Sequence, residues 1–188
     1  MNYIEDIKKY IPYNQQEEKD KQVLLKYIDD FDNILFRENE YAHFSASAWV
    51  VNKNRDKVLM IFHNIYNSWA WTGGHADGED DLLDVAIREV KEETGIINIQ
   101  PITRNAYALD ILPVWGHTKK GKYVSAHQHL NLTYLLEADE NEELFIKQDE
   151  NSGVKWISVE EVTEYSTELC MHKVYLKIIE KMNRKMEI

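Results

Sequence analysis

Apolar residues recur at helical spacing near the start of the chain. Between residues 14 and 36 they fall three or four positions apart, among side chains rich in Gln, Glu and Lys. Residues three and four positions apart share one face of a helix, so this spacing predicts an amphipathic helix. We expect residues 1–42 to form an N-terminal helical extension. The helix would be a lid or buttress that packs its apolar face on the main domain, or it would build a homodimer.

The pattern changes at about residue 43 to short apolar runs with β character. Polar residues 52–56 separate the first two runs, which predicts a hairpin, and the segment from Trp69 to Gly78 is expected to be a loop. A helix is predicted from about Asp80 to Thr94, ended by Gly95, and one or two helices are predicted after Val159. The β-like runs lie at 44–51, 57–62, 96–109, 123–137 and 153–158. Strands with helices before, between and after them predict a mixed α/β sandwich over residues 43–188.

The composition limits the classes of protein to which this chain can belong. A length of 188 residues with 44% hydrophobic positions fits one domain with an appendage better than two full domains. The 33 acidic residues outnumber the 22 basic ones, for a net charge of −11, so the chain would repel duplex nucleic acid. Cys170 is the only cysteine, which excludes an intrachain disulfide, and we expect its thiol to be buried.

Neither a leader peptide nor a membrane span is expected from the sequence. Charged residues interrupt the apolar positions of the first 14 residues, unlike the apolar core of a signal peptide. No stretch approaches the roughly 18 apolar residues that a spanning helix needs. We therefore expect a cytoplasmic protein that does not bind membranes.

Three glutamates share one ridge of the helix predicted to start near Asp80. At about 100° per residue, Glu89, Glu92 and Glu93 fall within an arc of roughly 100°, beside an apolar stripe that can face a core. Like charges at this spacing destabilise a helix unless a cation compensates them. Carboxylate oxygens suit Mg²⁺ or Mn²⁺, so the ridge is a candidate divalent-metal site, although most charge runs are solvated faces.

The segment around this helix resembles the box of the Nudix hydrolase family. That box reads Gly, five residues, Glu, seven residues, Arg-Glu, an aliphatic residue, any residue, Glu-Glu, any residue, Gly, aliphatic. The matching residues are Gly74, Arg88, Glu89, Val90, Glu92, Glu93, Gly95 and Ile96. The early Glu position holds Asp80, with Glu79 one residue ahead, so either carboxylate is a candidate for that role. The wider resemblance covers about residues 43–160.

The resemblance implies a Nudix-like α/β/α sandwich with a mixed sheet and a metal-dependent hydrolase. The implied substrate is a small nucleotide, a nucleoside diphosphate linked to another group, with ADP-ribose-like compounds ahead of oxidised nucleoside triphosphates. It also implies that Glu89, Glu92 and Glu93 act as catalytic metal ligands, with the Gly73 carbonyl as a further ligand. The general base would be Glu150, in a turn before a β-run, or its rival Glu89.

Other side chains are candidates for the substrate side of the site. His75 lies in the glycine loop, where it can contact a phosphate, and Trp71 is an aromatic residue on which a base can stack. Arg88 lies one helical turn from Asp84 and Glu92 and can orient a ligand carboxylate beside the substrate. These three residues complete the predicted site.

His127 and His129 have a spacing that is compatible with metal binding. They lie two apart in a β-like run, so both side chains point to one face. The sequence offers no third ligand nearby, so we expect these histidines to line the cleft or to pack beside it.

Two alternatives to the hydrolase belong to other functional classes. Isoprenoid diphosphate isomerisation also occurs on the Nudix fold but needs a differently equipped pocket. A non-catalytic sensor of a nucleotide ligand would be expected to have lost box glutamates, whereas Glu89, Glu92 and Glu93 are all present here.

Overall fold

The computed structural model of the protein describes residues 2–119 and 121–186. Met1, Lys120, Glu187 and Ile188 belong to the two predicted regions but lie outside the described residues. The helices are α1 (Tyr3–Lys9), α2 (Gln15–Asp30), α3 (Leu82–Thr94), α4 (Val162–Tyr165) and α5 (Leu169–Met186). The strands are β1 (Ala42–Val51), β2 (Lys57–His63), β3 (Ser68–Ala70), β4 (Thr72–His75), β5 (Ile99–Pro101), β6 (Ala108–Val114), β7 (His117–Lys119), β8 (Lys122–Val124), β9 (His127–Ala138) and β10 (Asn151–Ser158). None of the described helices is long and apolar enough to cross a bilayer.

The central strand β1 is buried along its whole length because it has a hydrophobic core on each face. Successive side chains of a strand point to opposite faces, so its residues alternate between the two cores. Phe44, Ala46, Ala48 and Val50 join the core that contains side chains of α1, α2 and α3. Trp49 and Val51 join the core formed with α5. Helices therefore cover both faces of the sheet, which confirms the predicted α/β/α sandwich.

The main sheet is mixed, as the sequence predicts. Its strand order is β10-β2-β1-β9-β5, with β3 paired to β2, β4 to β1 and β6 to β9. β1 and β9 are parallel, whereas the other pairs are antiparallel. The predicted hairpin is formed by β1 and β2, and a separate two-stranded ribbon is formed by β7 and β8. The parallel pairing brings residues that are distant in sequence, including His43 and His129, into register.

The N-terminal helix is shorter than its apolar spacing predicts. α2 ends at Asp30, where Phe31 adopts an extended conformation, and residues 31–36 form turns. Ile34 is nevertheless buried, and its carbonyl accepts a hydrogen bond from the Phe44 N–H at 2.9 Å. The apolar positions after residue 30 therefore reach the core from a turn, so continuing the helix to residue 36 was wrong.

The N-terminal segment buttresses the main domain. Ile7 in α1 and Leu24 in α2 are fully buried in the core beside β1. The buried Asp6 carboxylate accepts a hydrogen bond from the Tyr134 hydroxyl at 2.9 Å and one from the Ala106 N–H at 3.2 Å. The helix α1 is too short for its periodicity to be seen in the sequence. Both helices use their apolar faces within this chain.

Two local predictions were wrong. The segment from Trp69 to Gly78 contains β3 and β4, because Gly73 and Gly74 pair with β1 and so extend the sheet. Cys170 is exposed, because it lies in the first turn of α5 beside the cleft described below.

Candidate active site

The helix α3 presents its three glutamates to the β4 strand. Asp81 caps its start by accepting a hydrogen bond from the Asp84 N–H, and Gly95 ends it in the left-handed conformation at φ 79°. Its buried apolar side chains include Leu82, Val85 and Val90, which pack in the core beside β1. With that face buried, Glu89, Glu92 and Glu93 line the cleft beside Gly73 and Gly74.

Glu93 is the most buried of these carboxylates, with 3% of the residue exposed. Its Oε2 accepts a hydrogen bond from the Gly73 N–H at 3.0 Å, which ties α3 to β4. Burial raises the pKa of Glu93 to about 8, although this hydrogen bond opposes the shift. A buried carboxylate with this pKa holds a proton at neutral pH unless a cation takes its place.

Glu89 lies directly against Gly74. A Cβ atom on Gly74 would be 2.4 Å from the Glu89 Cδ, so only glycine leaves room for this carboxylate. Burial raises the pKa of Glu89, and the hydrogen bond from Arg88 partly offsets that effect. A larger residue at position 74 would force the Glu89 carboxylate to move, so the glycine of the predicted box lets this glutamate lie against β4.

Arg88 connects three acidic side chains at the edge of the cleft. It forms ion pairs with Glu79, with Glu89 at 3.1 Å and with Glu92 at 3.7 Å. The neighbouring Asp80 carboxylate instead accepts a hydrogen bond from the Asn2 side chain at 3.2 Å. Of the two candidates for the early box acid, Glu79 therefore lies in the site and Asp80 faces the N-terminal segment.

Glu150 and Glu92 meet at a lysine that the sequence analysis did not identify. The Lys147 Nζ lies 3.1 Å from a carboxylate oxygen of Glu92 and 3.1 Å from one of Glu150. Burial would lower the pKa of Lys147, but its hydrogen bonds with both carboxylates outweigh burial and raise it. The loop before β10 thus places Glu150 on the same cleft as the α3 glutamates.

The acidic residues line one side of a cleft of about 920 Å³. A more apolar part of about 520 Å³ adjoins it and shares Gly73, Gly74 and Glu93 in its lining. Trp71 lines this apolar part but is only 9% exposed, because its ring packs edge-on against Tyr175 with centroids 5.4 Å apart. Trp115, on the same lining, is 76% exposed. The cleft therefore combines a highly charged region with an aromatic one.

A group of histidines borders the acidic region. His75 in β4 and His129 in β9 meet His43 in β1, and their candidate ligand atoms lie within 4.8 Å of one another. Burial lowers the pKa of His43 and holds that of His129 well below its usual value. His127 lies beside them, with its Nε2 3.3 Å from that of His129. The expectation that no third residue accompanies His127 and His129 was wrong, because strand pairing supplies His43 and His75.

Several residues of the site gave no recognisable signal in the sequence. The Asn131 side chain accepts hydrogen bonds from Ser45 at 3.0 Å and Ser47 at 2.9 Å, which forms a polar floor under the cleft. Lys147 lies three residues before Glu150, a spacing that could have suggested its pairing with that acid. Asn131 reaches the site only through the parallel pairing of β1 with β9.

Comparisons with known proteins agree with this geometry. The model of the NUDIX domain family matches residues 42–181. An RNA pyrophosphohydrolase from Pelagibacter ubique (strain HTCC1062) is 32% identical over 137 residues, covering 71% of this chain and 86% of that protein. A probable DHNTP pyrophosphohydrolase from Lactococcus lactis subsp. cremoris (strain MG1363) is 29% identical over 139 residues, covering 74% of this chain and 80% of that protein.

A solved structure shows the same fold at lower sequence identity. The C. elegans Ap4A hydrolase in a binary complex superposes with a TM-score of 0.52 and 18% identity, covering 74% of this chain and 97% of that one. The family match spans most of the chain and includes the glutamates of α3 and the loop of Glu150. The chain therefore belongs to the NUDIX family, which confirms the predicted family and the predicted reaction class, hydrolysis of a pyrophosphate bond.

Proposed function

We propose that this protein hydrolyses the pyrophosphate bond of a nucleoside diphosphate linked to another group, in the cleft between α3 and the loop before β10. One observation carries this proposal. Glu89, Glu92 and Glu93 from α3 line the same cleft as Glu150, beside the backbone of Gly73 and Gly74. Four carboxylates at one cleft fit the handling of a phosphate anhydride if a divalent cation compensates their charge.

The donor set fits Mg²⁺ or Mn²⁺. Carboxylate and carbonyl oxygens are the ligands these cations prefer, and the buried Glu93 favours its charged form only when a positive charge compensates it. Glu89, Glu92 and Glu93 would hold the cation, with the Gly73 carbonyl as a further ligand. When bound, a divalent cation stabilises charge on the phosphate oxygens and polarises the attacking water.

We assign the general base to Glu150, with Glu89 as its rival. Glu150 is the more exposed carboxylate and lines the cleft, where it can accept a proton from water. Glu89 is more buried and its charge is engaged by Arg88. Replacing the base by Gln should reduce kcat by about 10²–10⁴-fold and remove one limb of the pH–rate profile.

The remaining predicted residues contribute to the substrate side. His75 borders the acidic region, where it can donate a hydrogen bond to a phosphate oxygen. The edge of Trp71 and the exposed Trp115 line the apolar part, where a nucleobase can pack. Arg88 holds Glu89 and Glu92 in position through its ion pairs.

We also propose that the chain is organised as the extension 1–42 followed by the hydrolase domain 43–188. The start of β1 at Ala42, and the family match that begins at the same residue, support this boundary. Both helices of the extension nevertheless share a core with the domain.

The experiment is product analysis with Mg²⁺ across a panel of substrates. The panel contains ADP-ribose, nucleotide sugars, dinucleoside polyphosphates, oxidised and normal nucleoside triphosphates, triphosphate-ended RNA and DHNTP. We expect one class to be cleaved at its pyrophosphate bond and a Glu92→Gln variant to lose about 10²–10³-fold in kcat/KM. Asp84→Asn, an exposed acid on the same helix, is the matched control.

Two outcomes would contradict the proposal. Turnover of no compound, with metal-dependent nucleotide binding retained, would favour a ligand sensor on this fold. Turnover that is unchanged in Glu92→Gln would move the metal site away from α3. Parallel pH profiles of Glu150→Gln and Glu89→Gln then assign the base, because only the base variant should lose the acidic limb.

A further inference from the structure

Four histidines converge where β1, β4 and β9 meet. His43 and His129 are opposite each other in the parallel pairing of β1 with β9. His75 follows Gly74 in β4, which pairs with the other edge of β1. The ring of His43 lies 5.1 Å from that of His75, 4.8 Å from that of His127 and 5.1 Å from that of His129. The cluster borders the same cleft as the α3 glutamates, but its side chains come from the strands of the sheet.

The backbone orients two of these rings. The His43 Nδ1 lies 3.0 Å from the Asn39 carbonyl oxygen, and the His127 Nδ1 lies 2.8 Å from that of Ser125. A carbonyl can only accept, so in each ring Nδ1 donates the hydrogen bond, which leaves Nε2 as the nitrogen available to a metal. Histidines that bind metals typically donate their other N–H in this way.

The lone pair of His43 has no hydrogen-bond partner among the described residues. His43 is 4% exposed, its Nε2 is buried, and the rings of the other three histidines lie around its own ring. A buried acceptor without a partner is unfavourable, because it has lost its hydrogen bonds to water and gained none in the protein. A cation at the centre of the cluster would satisfy this atom.

We propose that His43, His75 and His129 form a second metal site that takes a divalent transition-metal ion of the Zn²⁺ class. Their ligand atoms lie within 4.8 Å of one another. Tetrahedral zinc with bonds of about 2.0–2.1 Å places its ligand atoms about 3.3 Å apart. Ring rotations that move each ligand nitrogen by roughly an ångström would therefore complete the site. The Nε2 atoms of His127 and His129 are already 3.3 Å apart, which makes His127 the candidate fourth ligand.

The ligand chemistry distinguishes this site from the acidic ridge. Imidazole nitrogens bind zinc, copper, iron and nickel in preference to Mg²⁺, which favours oxygen ligands. The α3 glutamates offer only oxygen ligands, whereas His43, His75 and His129 offer only nitrogen ligands. The proposal rests on the histidines and not on the proposed function.

The test is titration of metal-stripped, tag-free protein with Co²⁺ in excess Mg²⁺. Co²⁺ reports a nitrogen site of low coordination number through its visible absorption. We expect one Co²⁺ per chain, bleached by Zn²⁺ and unaffected by Mg²⁺, and a rise in Tm on adding Zn²⁺. His75→Gln and His129→Gln should each weaken Co²⁺ binding by at least about 100-fold.

Two controls separate this site from other sources of metal binding. His172→Gln removes a histidine of α5 that bonds the Ser166 carbonyl at 2.8 Å, and it should leave the Co²⁺ spectrum unchanged. Glu92→Gln alters the acidic ridge and should also leave it unchanged. Circular dichroism monitors folding, and His75→Gln decides the question if His129→Gln does not fold.

Either of two results would overturn the proposal. The first is the absence of a stoichiometric Co²⁺ spectrum from the wild-type protein. The second is a spectrum that persists in His75→Gln and disappears in Glu92→Gln. Hydrolase activity is no part of these measurements, so failure of this site leaves the proposed function untouched.

Discussion

The Glu93 carboxylate makes the stability of the metal-free protein depend on pH. Burial raises its pKa from its ordinary value of 4.5 to about 8 in the folded state. The folded protein therefore holds one proton more than the unfolded chain between these pH values. The contribution of Glu93 to stability is therefore most favourable below pH 4.5 and is lost as the pH rises through about 8.

In the presence of a chelator, we expect Glu93→Gln to remove this loss of stability with rising pH. The difference in unfolding free energy between variant and wild type should change by up to about 1.4 kcal/mol per pH unit in favour of the variant. Urea denaturation from about pH 5 to about pH 8.5 measures it. If the unfolding free energies of variant and wild type change in parallel with pH, Glu93 is already ionised in the metal-free folded protein.

Glu79 and Asp80 are adjacent acids with different contacts, which makes them a matched pair. Glu79 pairs with Arg88 in the cleft, whereas Asp80 bonds the Asn2 side chain. Glu79→Gln should lower kcat/KM by about 10–100-fold, because Arg88 would hold Glu89 and Glu92 less firmly. The kcat/KM of Asp80→Asn should stay within about twofold of the wild-type value in the same assay. A larger loss in Asp80→Asn than in Glu79→Gln would instead assign the early acid of the box to Asp80, as the residue spacing does.

The packing of α3 against β4 depends on Gly74. This residue lies in extended backbone, but a Cβ atom there would meet the Glu89 carboxylate. Gly74→Ala should therefore displace Glu89 and reduce metal affinity and kcat by at least about tenfold, with an unfolding free energy within about 1 kcal/mol of the wild type. Calorimetric Mg²⁺ titration beside urea denaturation separates the two effects. An equal loss of stability and affinity would instead indicate general disruption of the sheet.

Both ends of α3 were predictable because their signals are local. Asp81 supplies a capping side chain and Gly95 the left-handed residue that ends the helix. The short strands β3 and β4 are not predictable from the sequence, because three or four residues are too few for a strand signal and β4 contains two glycines. Their strand character comes from pairing with β1 and β2. Sequence patterns thus predict elements that are stable through local periodicity better than those that depend on a partner strand.

A buried ionic cluster joins the N-terminal segment to the C-terminal helix. The Lys177 Nζ of α5 lies 3.1 Å from the Glu17 carboxylate of α2 and 2.7 Å from that of Asp110 in β6. Lys177→Met would leave two buried carboxylates without this cation, so we expect a loss of about 3–5 kcal/mol in unfolding free energy.

Chemical denaturation of Lys177→Met beside Arg184→Gln tests this expectation. Arg184 forms an exposed pair with Glu180 on the same helix, and its loss should cost no more than about 0.5 kcal/mol. Equal effects of the two substitutions would mean that Lys177 does not connect the three elements.

The mixed α/β architecture, the acidic helix and the positions of its glutamates could be predicted from residue order. Their signals are hydrophobic period, capping and the spacing of the box, all of which act within about 25 residues of chain. The expectation that the chain repels duplex nucleic acid likewise rests only on the net charge of −11.

The placement of the remaining groups depended on contacts between distant segments. Three features of the cleft follow from how α3, β1, β9 and the loop before β10 pack together. They are the pairing of Lys147 with Glu92, the position of Glu79 rather than Asp80 beside Arg88, and the contact of His43 with His129. Register and packing are set by burial of the two cores over the entire chain. No local spacing encodes them, so these side chains become neighbours only in the folded structure.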